Sequence, residues 1–139
     1  MRFDFTTVLS ERDATKFLPA GGSIFEMGDL GELLYVVKSG QAQIRVGDIV
    51  LETLEKGDLL GEMAVLDEQI QQRSASAFAV TDCEVVGMDR LRVIELLRSN
   101  PVVGLEVSKL MVRRLRLTTF LSHHDRLTEL PNQSFPNQV

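Results

Sequence analysis

The residue types best suited to chemistry in this sequence are a glycine, a glutamate, an arginine and a serine that lie close together along the chain. Gly61 allows the backbone to turn sharply and to approach a ligand closely. Residues 62–66 can form one helical turn, and the first N–H groups of such a turn lack partners within the helix, which favours an anion there. Arg73 carries a planar guanidinium that fits a phosphodiester, and Ser74 adds a hydroxyl beside it. This segment therefore predicts a binding site for a phosphate group.

Glu62 has a separate role in this prediction, because its own negative charge repels a phosphate. We expect its carboxylate to accept a hydrogen bond from a ribose 2′-hydroxyl. Taken singly, an arginine or a glutamate on a loop is usually a solvated surface charge, and a Gly-Glu pair is a weak signal. In this order the residues together suit a ribose that is cyclised through its phosphate.

A resemblance to a known family covers most of the chain. Three runs carry it: Phe-Glu-Met-Gly-Asp at residues 25–29, Leu-Tyr-Val-Val-Lys-Ser-Gly at residues 34–40, and Gly-Asp-Leu-Leu-Gly-Glu at residues 57–62. From residue 17 to residue 121 the sequence resembles the cyclic-nucleotide-binding domain family, and especially its bacterial catabolite activator branch. Residues 60–75 look like the family's phosphate-binding cassette, in which a Gly-Glu pair precedes a helical turn and then an arginine. The resemblance implies a regulatory module that binds a cyclic nucleotide, with cAMP as the expected ligand and with cGMP or a cyclic dinucleotide as alternatives.

The resemblance also implies roles for individual residues. Glu62 is expected to hold the ribose hydroxyl, while Arg73, Ser74 and the backbone N–H of Ala64 hold the cyclic phosphate. Residues 112–119 are similar to the family's dimer helix, where a pair of hydroxyl residues contacts the adenine, one from each subunit. The alternative for that pair is two ordinary polar positions on a helix. The expected ligand-binding residues are Gly61, Glu62, Met63, Ala64, Arg73, Ser74, Ala75, Thr118 and Thr119.

The sequence departs from the family pattern at three places. The loop at residues 67–72 is longer than in most members, and two glutamines precede the arginine where many members have proline. Leu60 stands where an aromatic residue is more frequent. No helix-turn-helix domain of the kind found in the transcription-factor branch follows in this sequence, so the resemblance does not imply DNA binding here.

The elements that must position these residues are mainly short β-strands. Apolar or alternating runs, separated by turns that often contain glycine, predict strands at residues 33–37, 41–46, 49–51, 74–80 and 83–88. Many short strands with regular turns predict a sandwich or a jelly roll. The predicted fold class is therefore mainly β with C-terminal helices: a jelly-roll (double-stranded β-helix) barrel to about residue 88, then a short helix and a long one.

Two helices are predicted after the strands. Asp89 can cap a short helix whose apolar positions include Leu91, Ile94 and Leu97. Asn100 and the proline after it can start a long helix that runs without a break to about residue 124.

An apolar stripe follows the long helix. Its members are Val103, Val107, Leu110, Leu117 and Leu121. Such a helix is longer than a small barrel can cover, so we expect its first half to pack on the barrel and the rest to pair with a second copy as a two-stranded coil. The alternative is a helix that lies along its own barrel. The stripe favours a homodimer formed through the C-terminal helix.

The last residues differ in composition from the rest of the chain. Residues 125–139 are rich in proline, asparagine and glutamine, which predicts a linker or disordered tail after a domain spanning residues 1–124. Residues 125–132 look like the motif at the start of diguanylate cyclase (GGDEF) domains, although Gln133 stands where that motif usually has arginine. Two interpretations stay open: a remnant or truncated start of such a domain, and a chance match.

Composition argues against several partners. The formal net charge is −5 and no compact basic cluster precedes the last helix, which disfavours direct DNA binding. No apolar run approaches the roughly 18 residues of a membrane span, and the N-terminus lacks an apolar signal core, so we expect a cytoplasmic protein with no membrane partner. Cys83, the single cysteine, is predicted to be a buried and inert thiol.

Enzymatic functions find little support in the sequence. A cupin-like metalloenzyme would need ligands near the strands, but His123 and His124 lie at the predicted end of the long helix. No Ser/His/Asp set and no Cys/His pair is apparent for hydrolysis, so we expect neither catalytic residues nor a metal. The remaining alternative is a degenerate module that keeps the fold and the dimer but binds no ligand. The presence of Glu62, Arg73 and Ser74 together favours binding.

Overall fold

The computed structural model describes residues 3–67 and 71–129, with the backbone alone for residue 71 and residues 117–129. Within this part of the chain, a 3-10 helix (Phe5–Val8) precedes the strands and α-helices. The strands are β1 (Thr15–Leu18), β2 (Ser23–Phe25), β3 (Leu30–Gly31), β4 (Leu34–Ser39), β5 (Ala42–Val46), β6 (Ile49–Leu54), β7 (Leu59–Leu60), β8 (Gln71–Gln72), β9 (Ser76–Ala79) and β10 (Cys83–Met88). The helices are α1 (Met63–Leu66), α2 (Arg90–Ser99) and α3 (Pro101–Glu129).

Most strands belong to two four-stranded antiparallel sheets. One has the order β1-β10-β4-β7 and the other the order β2-β9-β5-β6, while β3 and β8 pair separately. The apolar core draws on both sheets. Its members are Leu18, Val37, Leu60, Cys83 and Val85 from the first sheet, and Ile24, Ala42, Leu54, Ala77 and Ala79 from the second. The two sheets therefore pack face to face through their apolar sides, and the predicted mainly β architecture with C-terminal helices is confirmed.

Glycines make the turns between these strands possible. Gly40, Gly47 and Gly57 have φ values of 85°, 59° and 95°, in the left-handed region that other residues adopt at a cost. At Gly40 there is also no room for a side chain, because a Cβ would collide with the carbonyl oxygen of Asp82. The turns predicted from glycine thus lie between consecutive strands.

Cys83 begins strand β10 and is 1% exposed. Burial raises the pKa of its thiol above the ordinary value. The prediction of a buried cysteine is confirmed, and a thiol in this position is largely protonated at neutral pH.

Helix α2 begins as predicted but buries a different face. The carboxylate of Asp89 accepts a hydrogen bond from the backbone N–H of Arg92 at 2.9 Å, as expected of an N-cap. The predicted apolar face is wrong, since Leu91 is 77% exposed and the buried residues are Val93 and Leu96. Both sets of residues fit helical spacing, so periodicity alone could not choose between them.

An ion pair connects α2 to a distant part of the chain. Nε of Arg92 donates to a carboxylate oxygen of Asp13 at 2.7 Å, Nη2 donates to the other oxygen at 3.1 Å, and Nη2 also lies 3.5 Å from the carbonyl oxygen of Val8. The Asp13 side chain is only 5% exposed and that of Arg92 18%. These contacts join α2 to the N-terminal segment, and Val93, the next residue along the helix, is buried.

Helix α3 belongs to a second unit that begins at Pro101. It continues to Glu129, beyond the predicted end near residue 124, because the chain has no proline before Pro131 to interrupt it. Val103, Val107 and Leu110 of the predicted stripe are buried. The side chains of Leu117 and Leu121 lie outside the described residues. Across the described part of the chain, no helix is both long enough and apolar enough to span a bilayer.

The Asp13–Arg92 pair should contribute measurably to stability. Its hydrogen bonds with Arg92 lower the pKa of Asp13, so the carboxylate is charged at neutral pH and its contribution is lost only as the pH falls through that lowered value. Asp13→Asn should reduce the free energy of unfolding by about 1.5–3 kcal/mol at pH 7, the usual cost of losing hydrogen bonds between charged groups. Urea unfolding at several pH values measures this difference, which should shrink below about pH 4.

The exposed pair between Arg12 and Glu95 offers a matched control for that measurement. Nη2 of Arg12 lies 3.0 Å from a carboxylate oxygen of Glu95, but the two side chains are 77% and 54% exposed. Arg12→Gln should therefore cost less than about 1 kcal/mol. Equal losses for the two variants would contradict the assigned role of burial.

Candidate functional site

Two backbone pairings bring the predicted site residues together. Tyr35 of β4 pairs with Leu60 of β7, which places Gly61 at the end of a strand in the first sheet. On the other side, the N–H of Arg73 donates to the carbonyl oxygen of Asp29 at 2.7 Å, and the N–H of Gly28 donates to the carbonyl oxygen of Arg73 at 2.9 Å. The barrel thus anchors both ends of the segment in which the sequence predicted a phosphate site.

The guanidinium of Arg73 turns into the protein. Its Nη2 donates to the carbonyl oxygen of Leu33 at 2.7 Å, and its Nη1 donates to that of Gly61 at 3.4 Å. Its Cζ lies 4.1 Å from the centre of the Phe25 ring, within the range of a cation–π interaction. Arg73 is therefore not the solvated surface charge that an isolated loop arginine would usually be.

One donor of this guanidinium has no partner. Nε of Arg73 is buried and makes no hydrogen bond within the described residues. A buried N–H without an acceptor normally costs free energy, and ligand-binding sites are one place where such a donor is found. The geometry therefore provides a cationic donor that an anion could satisfy.

The electrostatic surroundings of Arg73 include a buried carboxylate. Burial lowers the pKa of the guanidinium, while the nearby Tyr35, Glu62 and Asp29 act in the opposite direction. Glu62 is only 6% exposed. An arginine stays protonated under such conditions, so the site combines a fixed positive charge with an acceptor carboxylate close by.

Gly61 is required both for its backbone conformation and for the space it leaves. Its φ is +76°, and a Cβ there would lie 2.7 Å from Nη1 of Arg73, 3.3 Å from the carbonyl oxygen of Leu33 and 3.4 Å from Cε2 of Phe25. Any side chain at this position would thus press on the guanidinium. The sharp turn expected at Gly61 is present and lies against this arginine, whereas the close approach to a ligand stays a prediction.

The predicted helical turn is present as α1, with Glu62 at its N-cap. One expectation about it needs correction. The N–H of Ala64, expected to be free for a phosphate, donates to the carbonyl oxygen of Gly61 at 3.2 Å, because the turn is tight and pairs Ala64 with the residue three positions before it. A phosphate would have to share or replace this bond.

The remaining predicted residues differ in their exposure. Met63 and Ser74 are exposed, whereas Ala64 and Ala75 are half-buried. Thr118 and Thr119 lie on helix α3, and their side chains are outside the described residues. The structure therefore brings together Gly61, Glu62 and Arg73, and the roles of the other residues stay predictions.

Sequence reasoning missed the groups that hold the guanidinium in place. Phe25 lies in one of the family-like runs, but nothing in the sequence connects it with an arginine so far along the chain. No sequence pattern indicates that the backbone carbonyl of Leu33 accepts a hydrogen bond from Arg73. Gly31 belongs to strand β3, which pairs with residues 71–72, and a Cβ there would lie 2.9 Å from Nε of Arg73. A glycine within a strand is the one signal of this close approach that the sequence contains.

Other features of the described residues fit a nucleotide less well. A cleft of about 420 Å³ is lined by Phe3, Asp4, Thr53, Glu55, Lys56 and Asp58. Its three carboxylates would repel an anionic ligand. Within the described residues no cluster of three or more His, Cys, Asp or Glu could hold a metal ion.

Comparisons with known proteins point to one family. Residues 15–100 match the Cyclic nucleotide-binding domain family. Over 106 residues, or 73% of the chain, the sequence is 41% identical to the Cyclic AMP receptor protein of Thermus thermophilus, of which it covers 48%. The chain thus spans about half the length of this curated relative.

Solved structures show the same fold. The catabolite activator protein of Thermus thermophilus superposes with a TM-score of 0.69 at 37% identity, over 84% of this chain and 55% of that one. The c-di-GMP-responsive global regulator CLP of Xanthomonas campestris superposes with a TM-score of 0.67 at 25% identity, over 85% of this chain and 60% of that one. The predicted fold is therefore one that these proteins share.

The crowding at Gly61 can be tested with alanine. Gly47→Ala should cost about 1–2 kcal/mol of stability, because its Cβ would meet nothing within 4 Å and only the positive φ is unfavourable. Gly61→Ala should cost at least about 1 kcal/mol more, since it also displaces the guanidinium of Arg73. Thermal unfolding of the two variants gives the comparison, and equal costs would show that Arg73 does not occupy this space.

Proposed function

The chain belongs to the cyclic nucleotide-binding domain family, and from this membership we propose that it is a sensor module that binds cAMP and couples its occupancy to helix α3. The observation that carries the proposal is the inward-facing guanidinium of Arg73, whose Nε lacks a partner within the described residues. A buried cation with an unused donor is what a cyclic phosphate, a single negative charge, would complete.

The phosphate contacts follow from the hydrogen bonds that Arg73 already makes. A guanidinium has five N–H donors, and the carbonyls of Leu33 and Gly61 engage only Nη2 and Nη1. The Nε–H and the second hydrogens of the Nη atoms are the donors we assign to the phosphate. The hydroxyl of Ser74 and the N–H of Ala64 are the additional donors that the family resemblance suggests.

The ribose contact is assigned to Glu62. A carboxylate repels the phosphate but accepts from a 2′-hydroxyl, and its burial beside Arg73 keeps it within the same small site. Together the two residues would recognise a sugar that carries both a cyclic phosphate and a free hydroxyl. Gly61 and Met63, which flank Glu62, and Ala75, which follows Ser74, are the other residues of this segment that we propose to contact the ligand.

The identity of the base is the least constrained part of the proposal. The name of the Thermus thermophilus relative supports cAMP, whereas the Xanthomonas regulator of similar fold is described as responsive to c-di-GMP, so both nucleotides belong in the test. Thr118 and Thr119 are proposed as adenine contacts. A thermal-shift panel with cAMP, cGMP and cyclic-di-GMP ranks the three ligands, because a ligand that binds only the folded state raises the melting temperature.

The proposed assembly is a homodimer through helix α3. Its support is the apolar stripe, which continues past the buried Val103, Val107 and Leu110 to Leu117 and Leu121 in the sequence. The GGDEF-like residues 125–132 add a further hypothesis, that such a helix leads to a cyclase output domain. The absence of catalytic activity in this chain, its cytoplasmic location and the domain limit at residue 124 stay predictions.

Arg73 provides the decisive test. Removing one partner of a desolvated charge pair typically costs 2–5 kcal/mol, so Arg73→Ala should weaken cAMP binding by roughly 30- to 3,000-fold. Arg73→Lys should recover little of this, because an ammonium keeps the charge but not the planar fork. Titration calorimetry measures the affinities, and equal binding by wild type and Arg73→Ala would contradict the site.

A control is needed because Arg73 also supports the fold through its carbonyl contacts. Arg45 is a suitable match, since it too lies over a phenylalanine, with Cζ 5.7 Å from the ring of Phe78, and hydrogen-bonds the Gln43 side chain. Arg45→Ala should leave the affinity for cAMP unchanged. Circular dichroism of all the variants separates loss of binding from loss of folding.

The dimer has its own test. Leu117→Glu would place a charge in the proposed seam and should yield a folded monomer in light scattering. Val112→Glu is the control, because Val112 is 49% exposed and lies about 140° around the helix from Leu117. A wild-type protein that is monomeric at high micromolar concentration would contradict the proposal.

A further inference from the structure

The Arg73 guanidinium is bounded by an aromatic ring. Phe25 ends strand β2, and its ring centre lies 4.1 Å from Cζ of Arg73. The same ring lies 6.2 Å from that of Tyr35, against which it is tilted by 33°, and it packs on the apolar core. The ring is therefore held from the barrel side and provides a rigid surface for the guanidinium.

Gly31 lies against the same guanidinium. A Cβ there would lie 2.9 Å from Nε and 3.0 Å from Cζ of Arg73, and 2.9 Å from Cβ of Ala64. These distances are far below the normal separation of non-bonded carbon atoms. With the ring of Phe25, the backbone at Gly31 and the carbonyls of Leu33 and Gly61 around it, the guanidinium has little freedom to swing away.

We propose that Phe25 is a positioning residue for the ligand: its ring holds the guanidinium of Arg73 in place before a nucleotide arrives. This rests on the proposed function, in which Arg73 binds the cyclic phosphate. A flexible arginine loses side-chain entropy when it binds, whereas one that is already ordered loses less, so pre-organisation increases affinity. Phe25 acts through Arg73 and need not touch the phosphate.

Two substitutions distinguish the effect of the aromatic face of Phe25 from the effect of its apolar volume. Phe25→Leu removes the aromatic face but keeps an apolar residue, and it should weaken cAMP binding by about 3- to 30-fold, the range expected for a cation–π interaction. Phe25→Tyr keeps the ring and should bind like the wild type. If Phe25 served only the fold, affinity would fall only where stability falls. A loss of affinity in Phe25→Leu at an unchanged melting temperature, restored in Phe25→Tyr, would therefore not be expected.

Phe78→Leu is the matched control. Phe78 is a half-buried phenylalanine of the second sheet, and its ring also lies beneath an arginine, Arg45, which has no part in the proposed site. This variant loses a similar ring and should keep its affinity for cAMP. Melting temperatures recorded for all three variants show whether any loss of affinity follows loss of stability.

The order of the Arg73 side chain can be measured without any ligand. In ¹⁵N relaxation experiments the Nε–H of Arg73 should be as rigid as the backbone in the wild type and in Phe25→Tyr, and mobile in Phe25→Leu. The inference is overturned if the wild type binds cAMP and Phe25→Leu has the same affinity and the same order at Nε of Arg73. If the wild type binds none of the three nucleotides, the proposed function is wrong, and the relaxation data still decide whether Phe25 orders the guanidinium.

Discussion

A guanidinium keeps its charge when it enters a protein, so the protein must supply acceptors and a polarisable surface around it. Much of the local structure around Arg73 meets this requirement. The carbonyls of Leu33 and Gly61 accept from it, and the ring of Phe25 lies against it. Glycine at position 61 leaves the space that the group fills. Nε alone has no acceptor among the residues that the structure describes, and this is the donor that the proposed phosphate would use.

The groups around Arg73 come from both four-stranded sheets. Phe25 belongs to the second sheet, whereas Gly61 follows a strand of the first and Leu33 precedes another. The position of the guanidinium therefore depends on how the two sheets pack, and the apolar core between them indirectly sets the geometry of the site. A change that shifted one sheet against the other would alter the acceptors and the aromatic ring together.

The sequence predicted the architecture well where its patterns are local. The strands expected at residues 41–46 and 83–88 closely match β5 and β10, and Asp89 caps α2 as expected. The sequence was less informative where several local solutions were equivalent. Either apolar face of α2 satisfies helical spacing, and the choice depends on distant contacts, of which the Asp13–Arg92 pair is one. For the site, the glycine, glutamate and arginine were identified from their order. Their support by Phe25 and by backbone carbonyls depends on contacts across the barrel, which no short sequence pattern contains.

The buried thiol of Cys83 makes the protein well suited to spectroscopy. Since the chain has one cysteine, and that residue is inaccessible and largely protonated, maleimide reagents should leave the native protein unmodified. A cysteine introduced on the surface, for example by Leu91→Cys on helix α2, would then be the single reactive position. Fluorescent or spin labels could then test whether that helix moves during ligand titration without first removing the native cysteine.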